Sequence, residues 1–151
     1  MPNTPLAVGA GMSAFACAAS VCAPERAAAE RILGAAGRTI EVEERDLDAV
    51  TGLSGSGPAY AFLMIEALTE GGVAAGLKRE TAAVLAAQTL LGAAQMALTG
   101  PCSPADLRAA VTSPGGTTAA GLRVMEHAGV RSALMEAVLA ATERSKELGR
   151  K

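Results

Sequence analysis

The sequence changes character near Asp46, because every segment with a strand pattern precedes that residue and only helical patterns follow it. A strand, a helix and a second strand in this order predict one βαβ unit. A unit of about 45 residues is too short for a complete doubly wound domain, so the chain is expected to begin in the middle of one. The predicted elements are a strand at Met12–Cys17, a helix that opens at Pro24 and Glu25, runs through Leu33 and ends at Gly37, and a strand at Thr39–Glu43.

The rest of the chain is a series of helices separated by glycine and proline. Gly100-Pro101 stops one helix because proline cannot continue it, and Ser103, Pro104 and Asp106 form a typical capped start of the next. The fold class predicted is mainly α: an all-helical bundle over residues 46–151, preceded by a partial, Rossmann-like α/β fragment over residues 1–45. The predicted helices run from Ser56 to Gly76, from Glu80 to Leu98, from Pro104 to Val111, from Gly116 to His127 and from Val130 to Leu148.

The apolar side chains are small, and this indicates an interface between subunits. Hydrophobic residues make up 50% of the chain but aromatic ones only 2%, so Ala, Leu, Val and Met carry the apolar content. A 15.0 kDa chain has a high ratio of surface to volume and cannot hide this content within itself. The helices at residues 56–76 and 80–98 are expected at the centre of a constitutive dimer or larger assembly.

Charge and composition argue against a nucleic-acid partner. The formal net charge is −2 and the pI about 5.4, with no basic stripe along the sequence. The chain has no Trp, one Tyr and two Phe, which leaves few side chains for stacking on bases.

Two long uncharged runs raise the question of a membrane segment. Residues 1–24 lack the basic start of a signal peptide and are interrupted by proline and glycine. The run from Thr81 to Ala105 is broken by Gly92 and by Gly100-Pro101. We therefore expect a buried helix of a soluble protein here, and no membrane partner.

The cysteines indicate a reducing compartment. Cys17, Cys22 and Cys102 form no CxxC pair, and only His127 could join them at a metal. An odd number of cysteines without framework spacing favours free, buried thiols in the cytoplasm, and no metal site is expected.

The segment Thr112-Ser-Pro-Gly-Gly-Thr-Thr118 is the sharpest candidate site. Pro114 fixes one backbone torsion, and Gly115 and Gly116 permit close approach of a ligand to the backbone. Because a helix begins here, unpaired N–H groups and the positive end of the helix dipole point outward beside three hydroxyls. The pattern suits a small anion such as a carboxylate, and an ordinary capped helix start is the alternative.

A second candidate is the glycine-rich segment Thr51-Gly-Leu-Ser-Gly-Ser-Gly-Pro58. It lacks the lysine of a Walker loop, and it does not follow a strand as a dinucleotide fingerprint does. The alternative to a ligand loop is a tight crossing of packed backbones that leads into a capped helix.

The other polar residues have ordinary structural interpretations. His127 is expected at the surface or as a C-terminal helix cap, and Tyr60 in the core. Glu43, Glu44 and Asp46 are expected in a solvated turn.

Several blocks resemble pyrroline-5-carboxylate reductase in order and spacing, over nearly the whole chain. The longest is Asp48–Phe62, and the second is Ser113–Thr118 with its Ser-Pro-Gly-Gly-Thr-Thr sequence. The shorter ones are Met1–Pro5, Glu43-Glu44, Glu70–Val73, Ala87-Gln88, Leu90–Gly92 and Leu107-Arg108.

The resemblance implies an oxidoreductase of proline biosynthesis that transfers hydride from NADPH or NADH to 1-pyrroline-5-carboxylate and forms L-proline. It also implies a helical dimerisation and substrate-binding domain, an interwoven homodimer whose active site borrows residues across subunits, and dimers that join into decamers. The residue roles that it implies are substrate binding by Ser113, Gly115, Gly116, Thr117 and Thr118, a catalytic position near the ring nitrogen for Thr51, and cofactor contacts for Pro2, Asn3, Thr4 and Glu44.

Two departures from the family pattern affect these expectations. Family members begin with a strand and a glycine-rich loop that binds the pyrophosphate, and this sequence has no such segment, so residues 1–151 alone are expected to bind NADPH weakly and to lack turnover. Ala110 occupies a position where some relatives carry a ligand-binding asparagine. The alternative function is a catalytically silent helical dimerisation module derived from the same family.

Overall fold

The computed structural model describes residues 1–150 and divides the chain into two compact units. The first contains Met1–Tyr60 together with the residues from Ala133 onward, and the second contains Ala61–Ser132. The predicted fold class is confirmed, since helices dominate and a small parallel sheet lies near the amino terminus. The domain boundary expected between residues 45 and 46 stays a prediction.

The predicted βαβ unit is present in the first unit, with the two strands parallel and in register from Gly11 opposite Gly37. The start of the chain adds to the other edge of the first strand, where the Ala14 N–H donates to the Met1 carbonyl at 3.0 Å and Pro2 forms an antiparallel bridge with Ser13. The elements are a 3₁₀ helix at Thr4–Val8, which the sequence did not predict, then β1 at Gly11–Phe15, α1 at Ala23–Gly34 and β2 at Gly37–Glu41.

Gly37 begins β2, and the expectation that it ends α1 is wrong. The helix ends at Gly34, and Ala35 keeps a right-handed conformation. Gly37 has a φ of 150°, and a Cβ atom on it would overlap the backbone of Gly11 in the paired strand. Glycine is therefore required by the close approach of the two strands and by the positive φ.

The glycine-rich segment is helical, which corrects the prediction of a capped helix start at Ser56. Helix α2 at Leu47–Val50 continues into a π turn at Thr51–Gly55 and then into α3 at Gly57–Ala74. Ser56 itself is right-handed, and its N–H donates to the Thr51 carbonyl at 2.9 Å, the i→i+5 bond of a π turn. The π turn places one extra residue in this helical run.

The remaining four helices agree with the predicted ones to within one residue at every end. Ser103 caps the helix that begins at Pro104 through a reciprocal pair of hydrogen bonds with Asp106, each 3.2 Å long. Gly129 separates the last two helices with a φ of 73°. The helices are α4 at Arg79–Thr99, α5 at Pro104–Ala110, α6 at Thr117–His127 and α7 at Val130–Gly149.

Few side chains are buried, which differs from the expectation of a buried helix at residues 81–105. On α4 only Ala82 and Ala86 are buried, whereas Val84 is 68% exposed and Leu98 is 62% exposed. On α3, Phe62 is 63% exposed. A single copy therefore leaves apolar faces of both helices in water, an arrangement typical of subunit interfaces.

Helix α4 is also long and apolar enough to span a bilayer by length and composition alone. Interface helices of soluble assemblies share these properties, so the length of α4 by itself does not distinguish the two environments.

Candidate functional site

The segment that precedes α6 folds as a tight turn. The Gly116 N–H donates to the Ser113 carbonyl at 3.0 Å, and Gly115 has a φ of 70°. Proline at the second position and a left-handed glycine at the third are typical of a type II turn. The turn folds the Ser113 hydroxyl over Gly116, where a Cβ atom would collide with it.

Three backbone N–H groups are unpaired at the start of α6. Gly116 is the N-terminal flanking residue and offers no side chain as a cap, and the first helical bond goes from the Ala120 N–H to the Gly116 carbonyl. Among residues 1–150, the N–H groups of Thr117, Thr118 and Ala119 find no acceptor. No side chain caps this helix, so its free donors and the positive end of its dipole are available to an anion beside the Ser113 turn.

The turn occupies one backbone group of a predicted substrate-binding residue. The Gly116 N–H donates to the Ser113 carbonyl, so the free donors begin at Thr117. The third free donor is the N–H of Ala119, which the sequence interpretation missed. The first N–H groups of a helix have no partner within the helix, so counting from Thr117 would have identified it.

An apolar groove of about 340 Å³ runs beside this turn in the second unit. Thr118 and Arg108 supply its polar groups. The Arg108 guanidinium also lies 3.6 Å from the Glu126 carboxylate, which bonds to Arg131. Hydrogen bonding and charge from Arg131, with a smaller contribution from Arg108, lower the pKa of Glu126. The groove's remaining residues are Ala93, Met96, Ala97, Pro104, Leu107, Val111 and Leu122.

Thr51, the predicted catalytic residue, is the first residue of the π turn. Its hydroxyl donates to the Leu47 carbonyl at 2.8 Å, so the oxygen retains its capacity to accept a hydrogen bond. Gly52 next to it packs against α7, where a Cβ atom would lie 2.7 Å from the Val138 carbonyl oxygen and 2.9 Å from the Thr142 nitrogen. Of the alternative to a ligand loop, the tight crossing of backbones is present at Gly52, but the capped helix start is not.

Asn3 lies beside the same π turn. Its amide donates to the Ser54 carbonyl at 3.2 Å and approaches the Ser54 hydroxyl at 3.4 Å, while its oxygen accepts from the Met12 N–H at 2.8 Å. The structure thus brings Asn3 and the segment that carries Thr51 together in the first unit.

The other residues expected on the cofactor side are less constrained. Pro2 bridges to β1, and Thr4 begins the 3₁₀ helix. Glu44 lies in an exposed 3₁₀ turn at Glu44–Asp46, as the interpretation of a solvated turn requires, and its carboxylate pairs with no residue among 1–150. The loop at residues 113–118 belongs to the second unit, separate from these residues.

A helix start near the strands is unsuited to a phosphate group. Helix α1 follows β1, and the Glu25 carboxylate accepts from the Cys22 N–H at 2.9 Å there, which lowers the pKa of Glu25. An acid at this position repels a phosphate. The start of α1 in the described α/β fragment is therefore not suited to the pyrophosphate of a dinucleotide.

The cysteines and Tyr60 differ partly from expectation. All three cysteines are free, but Cys17 is half-buried and Cys22 and Cys102 are exposed, so the prediction of buried thiols is wrong. Tyr60 is half-buried and its hydroxyl donates to the Ala137 carbonyl at 3.2 Å. His127 is exposed at the end of α6, as predicted.

Comparisons with known proteins give a consistent result. The family described as pyrroline-5-carboxylate reductase dimerisation matches residues 44–148. A pyrroline-5-carboxylate reductase of Synechocystis is 55% identical over 151 residues, which are 100% of this chain and 57% of that relative. The chain thus spans little more than half of that relative's length.

Two solved structures are also similar. A pyrroline-5-carboxylate reductase from Coxiella burnetii has a TM-score of 0.94 at 45% identity, covering 98% of this chain and 55% of that one. A pyrroline carboxylate reductase of Plasmodium falciparum, solved with NADP bound, has a TM-score of 0.92 at 38% identity, covering 99% of this chain and 61% of that one.

The fold defines a mainly helical protein with uncovered apolar helix faces and a small α/β fragment at its start. The matched family narrows this class. The chain belongs to the pyrroline-5-carboxylate reductase family, and it includes that family's dimerisation region.

Proposed function

We propose that this chain supplies the substrate-binding and dimerisation part of an enzyme that reduces 1-pyrroline-5-carboxylate to L-proline with NADPH or NADH. The observation that carries the proposal is the turn at Ser113–Gly116 with the unpaired N–H groups after it. This turn offers a carboxylate several converging donors, in a chain that belongs to the reductase family.

The substrate carboxylate is assigned to the start of α6. The Ser113 hydroxyl and the N–H groups of Thr117, Thr118 and Ala119 would donate to its two oxygens. Gly115 and Gly116 would keep side chains away from the space that the carboxylate needs. Holding the carboxylate orients the ring, and orientation is the main requirement for reducing an imine that protonation has already polarised.

Thr51 is assigned to the ring nitrogen. Because its hydroxyl hydrogen is directed to the Leu47 carbonyl, its oxygen would accept from the N–H of the protonated imine. When bound, NADPH or NADH supplies the hydride that adds to the imine carbon, and the C=N electron pair becomes the lone pair of the product amine. Pro2, Asn3, Thr4 and Glu44 would lie along the nicotinamide.

The proposed partners follow from the uncovered apolar faces. Helices α3 and α4 would pair with those of a second copy in a homodimer, and dimers could assemble further into a decamer. We place the protein in the cytoplasm, with α4 at a subunit interface instead of in a membrane, and without a nucleic-acid partner.

The test is a fusion protein in which the segment that precedes the matched region of the Synechocystis relative is joined to residues 1–151. We expect this fusion to oxidise NADPH in the presence of 1-pyrroline-5-carboxylate and to release L-proline. Residues 1–151 alone are the matched control, with no turnover and weak NADPH binding by calorimetry.

A fusion that dimerises and melts cooperatively but has no reductase activity would contradict the proposal. That result would favour the second candidate, a silent dimerisation module. Saturable, low-micromolar NADPH binding by residues 1–151 alone would contradict the expected dependence on the preceding segment.

A further inference from the structure

We infer that Asn3 and Ser54 are positioning residues, which hold the π turn that carries Thr51 because Pro58 cannot. The inference rests on the proposed function for its catalytic meaning. Its structural part concerns hydrogen bonds within the first unit and is testable without any activity.

Pro58 creates the need for this link. In an α-helix the carbonyl of residue 54 would accept from the N–H of residue 58, but residue 58 is proline and has no N–H. In the i→i+5 pattern of a π turn the donor would be the N–H of residue 59. The next N–H, that of Ala59, donates to the Ser56 carbonyl at 3.0 Å. The Ser54 carbonyl therefore needs a donor from outside the helix, since an unpaired, half-buried carbonyl is unfavourable.

Asn3 supplies that donor. Its amide nitrogen lies 3.2 Å from the Ser54 carbonyl oxygen and 3.4 Å from the Ser54 hydroxyl oxygen. The opposite end of the same amide is fixed by the Met12 N–H at 2.8 Å, so the side chain is anchored on β1. The amide thus connects the sheet to the π turn at the position that proline leaves unpaired.

The consequence is that the position of Thr51 depends on residues 3 and 54. The π turn is held from one side by Asn3 and from the other by the contact of Gly52 with α7. Loss of the Asn3 bond would let the turn relax and shift the Thr51 oxygen relative to its ligand. Displacements of about 1 Å can reduce a rate by about a hundredfold.

The first test is amide hydrogen exchange of the π turn in residues 1–151. Asn3→Asp keeps the acceptor for Met12 but replaces the donor to Ser54 with a carboxylate. We expect it to speed exchange of the Ser56 amide by at least about tenfold. Pro58→Ala restores an N–H at residue 58, so the double variant should recover at least part of the protection, while Pro58→Ala alone changes little.

The second test measures kinetics in the active fusion protein. Asn3→Asp should lower kcat by about tenfold or more with a smaller change in the KM for NADPH, and adding Pro58→Ala should restore kcat in part. Rescue at residue 58 is not expected if Asn3 acts only by touching the cofactor.

The outcomes separate this inference from the proposed function. Unchanged exchange in Asn3→Asp, or no recovery in the double variant, overturns the inference. An inactive wild-type fusion refutes the proposed function, yet the exchange measurements still decide whether Asn3 and Ser54 position the π turn.

Discussion

Gly52 in the π turn lies directly against Thr142 on α7, so closely that a methyl group at residue 52 would overlap the Thr142 hydroxyl. The neighbouring atoms include the Val138 carbonyl oxygen and the Thr142 nitrogen, which belong to a helix backbone and cannot easily move. The contact fixes the separation between the π turn and α7.

We therefore predict that Gly52→Ala destabilises the chain by about 1–3 kcal/mol, the usual range for overpacking. The control is Gly34→Ala at the end of α1, where a Cβ atom would meet its nearest neighbour at 3.8 Å. That control should be neutral or slightly stabilising. Thermal melts at one fixed protein concentration measure both, and equal melting temperatures for the two variants would contradict the packing argument.

Ser113→Ala should lower kcat/KM of the active fusion by roughly one to two decades, because a hydrogen bond to a charged group contributes about 1.5–3 kcal/mol. Thr118→Ala removes a neighbouring hydroxyl but keeps the backbone N–H assigned to the carboxylate, so it should lower kcat/KM in the same direction but by less. Cofactor affinity should change little in either variant.

Gly116→Val should reduce kcat/KM further than Ser113→Ala. A side chain at residue 116 would displace the Ser113 hydroxyl and fill the proposed carboxylate space. Gly121→Ala, a position in α6 with open space around it, is the control with normal kinetics. If Ser113→Ala and Gly116→Val both keep normal kcat/KM at unchanged melting temperature, residues 113–118 form only a helix start.

The pairing of Glu126 with Arg131 predicts a pH dependence of stability. The pKa of Glu126 in the folded chain lies below its ordinary value of 4.5, mainly because Arg131 donates a hydrogen bond to it. The stabilisation is therefore present above pH 4.5 and is lost as the pH falls through the lowered pKa. Since both groups are exposed, the effect is small and weakens with salt.

The measurement is the difference in melting temperature between wild type and Glu126→Gln. The difference should be small at neutral pH and disappear in acid. Glu136→Gln, a carboxylate on α7 without an ion-pair partner among residues 1–150, should show no such trend. A wild-type advantage that grows as the pH falls would contradict the assignment.

Residues 1–151 should sediment as a dimer or larger at all accessible concentrations. Val84→Glu would place an unpaired charge on the exposed apolar face of α4 and should raise the dissociation constant by at least about tenfold. Ile32→Glu, at an equally exposed apolar position on α1, should leave association unchanged. A concentration-independent mass of 15.0 kDa for wild type would exclude the interface.

Helix boundaries were predictable wherever a local signal determines them. Proline after glycine at residues 100–101 ends α4, and the Ser103 and Asp106 pair starts α5 as predicted. These signals act between residues close in sequence, so they do not depend on the rest of the fold.

The sequence shows which glycines interrupt the regular patterns, but it does not show the structural role of each one. The sequence predicts a helix end at Gly37, which instead allows two strands to approach each other. Gly52 and Gly55 suggested a loop, whereas they belong to a π turn that α7 crosses. The bond from Asn3 to Ser54 joins residues 51 positions apart, and no local pattern could indicate it.

The uncovered face of α4 also affects how the polypeptide reaches its native state. If that face is stable only when a second chain covers it, folding and association become one reaction, and its rate depends on the square of the chain concentration. A newly synthesised copy then remains exposed to chaperones and proteases until it meets another. The apparent melting temperature should therefore rise as the protein concentration increases.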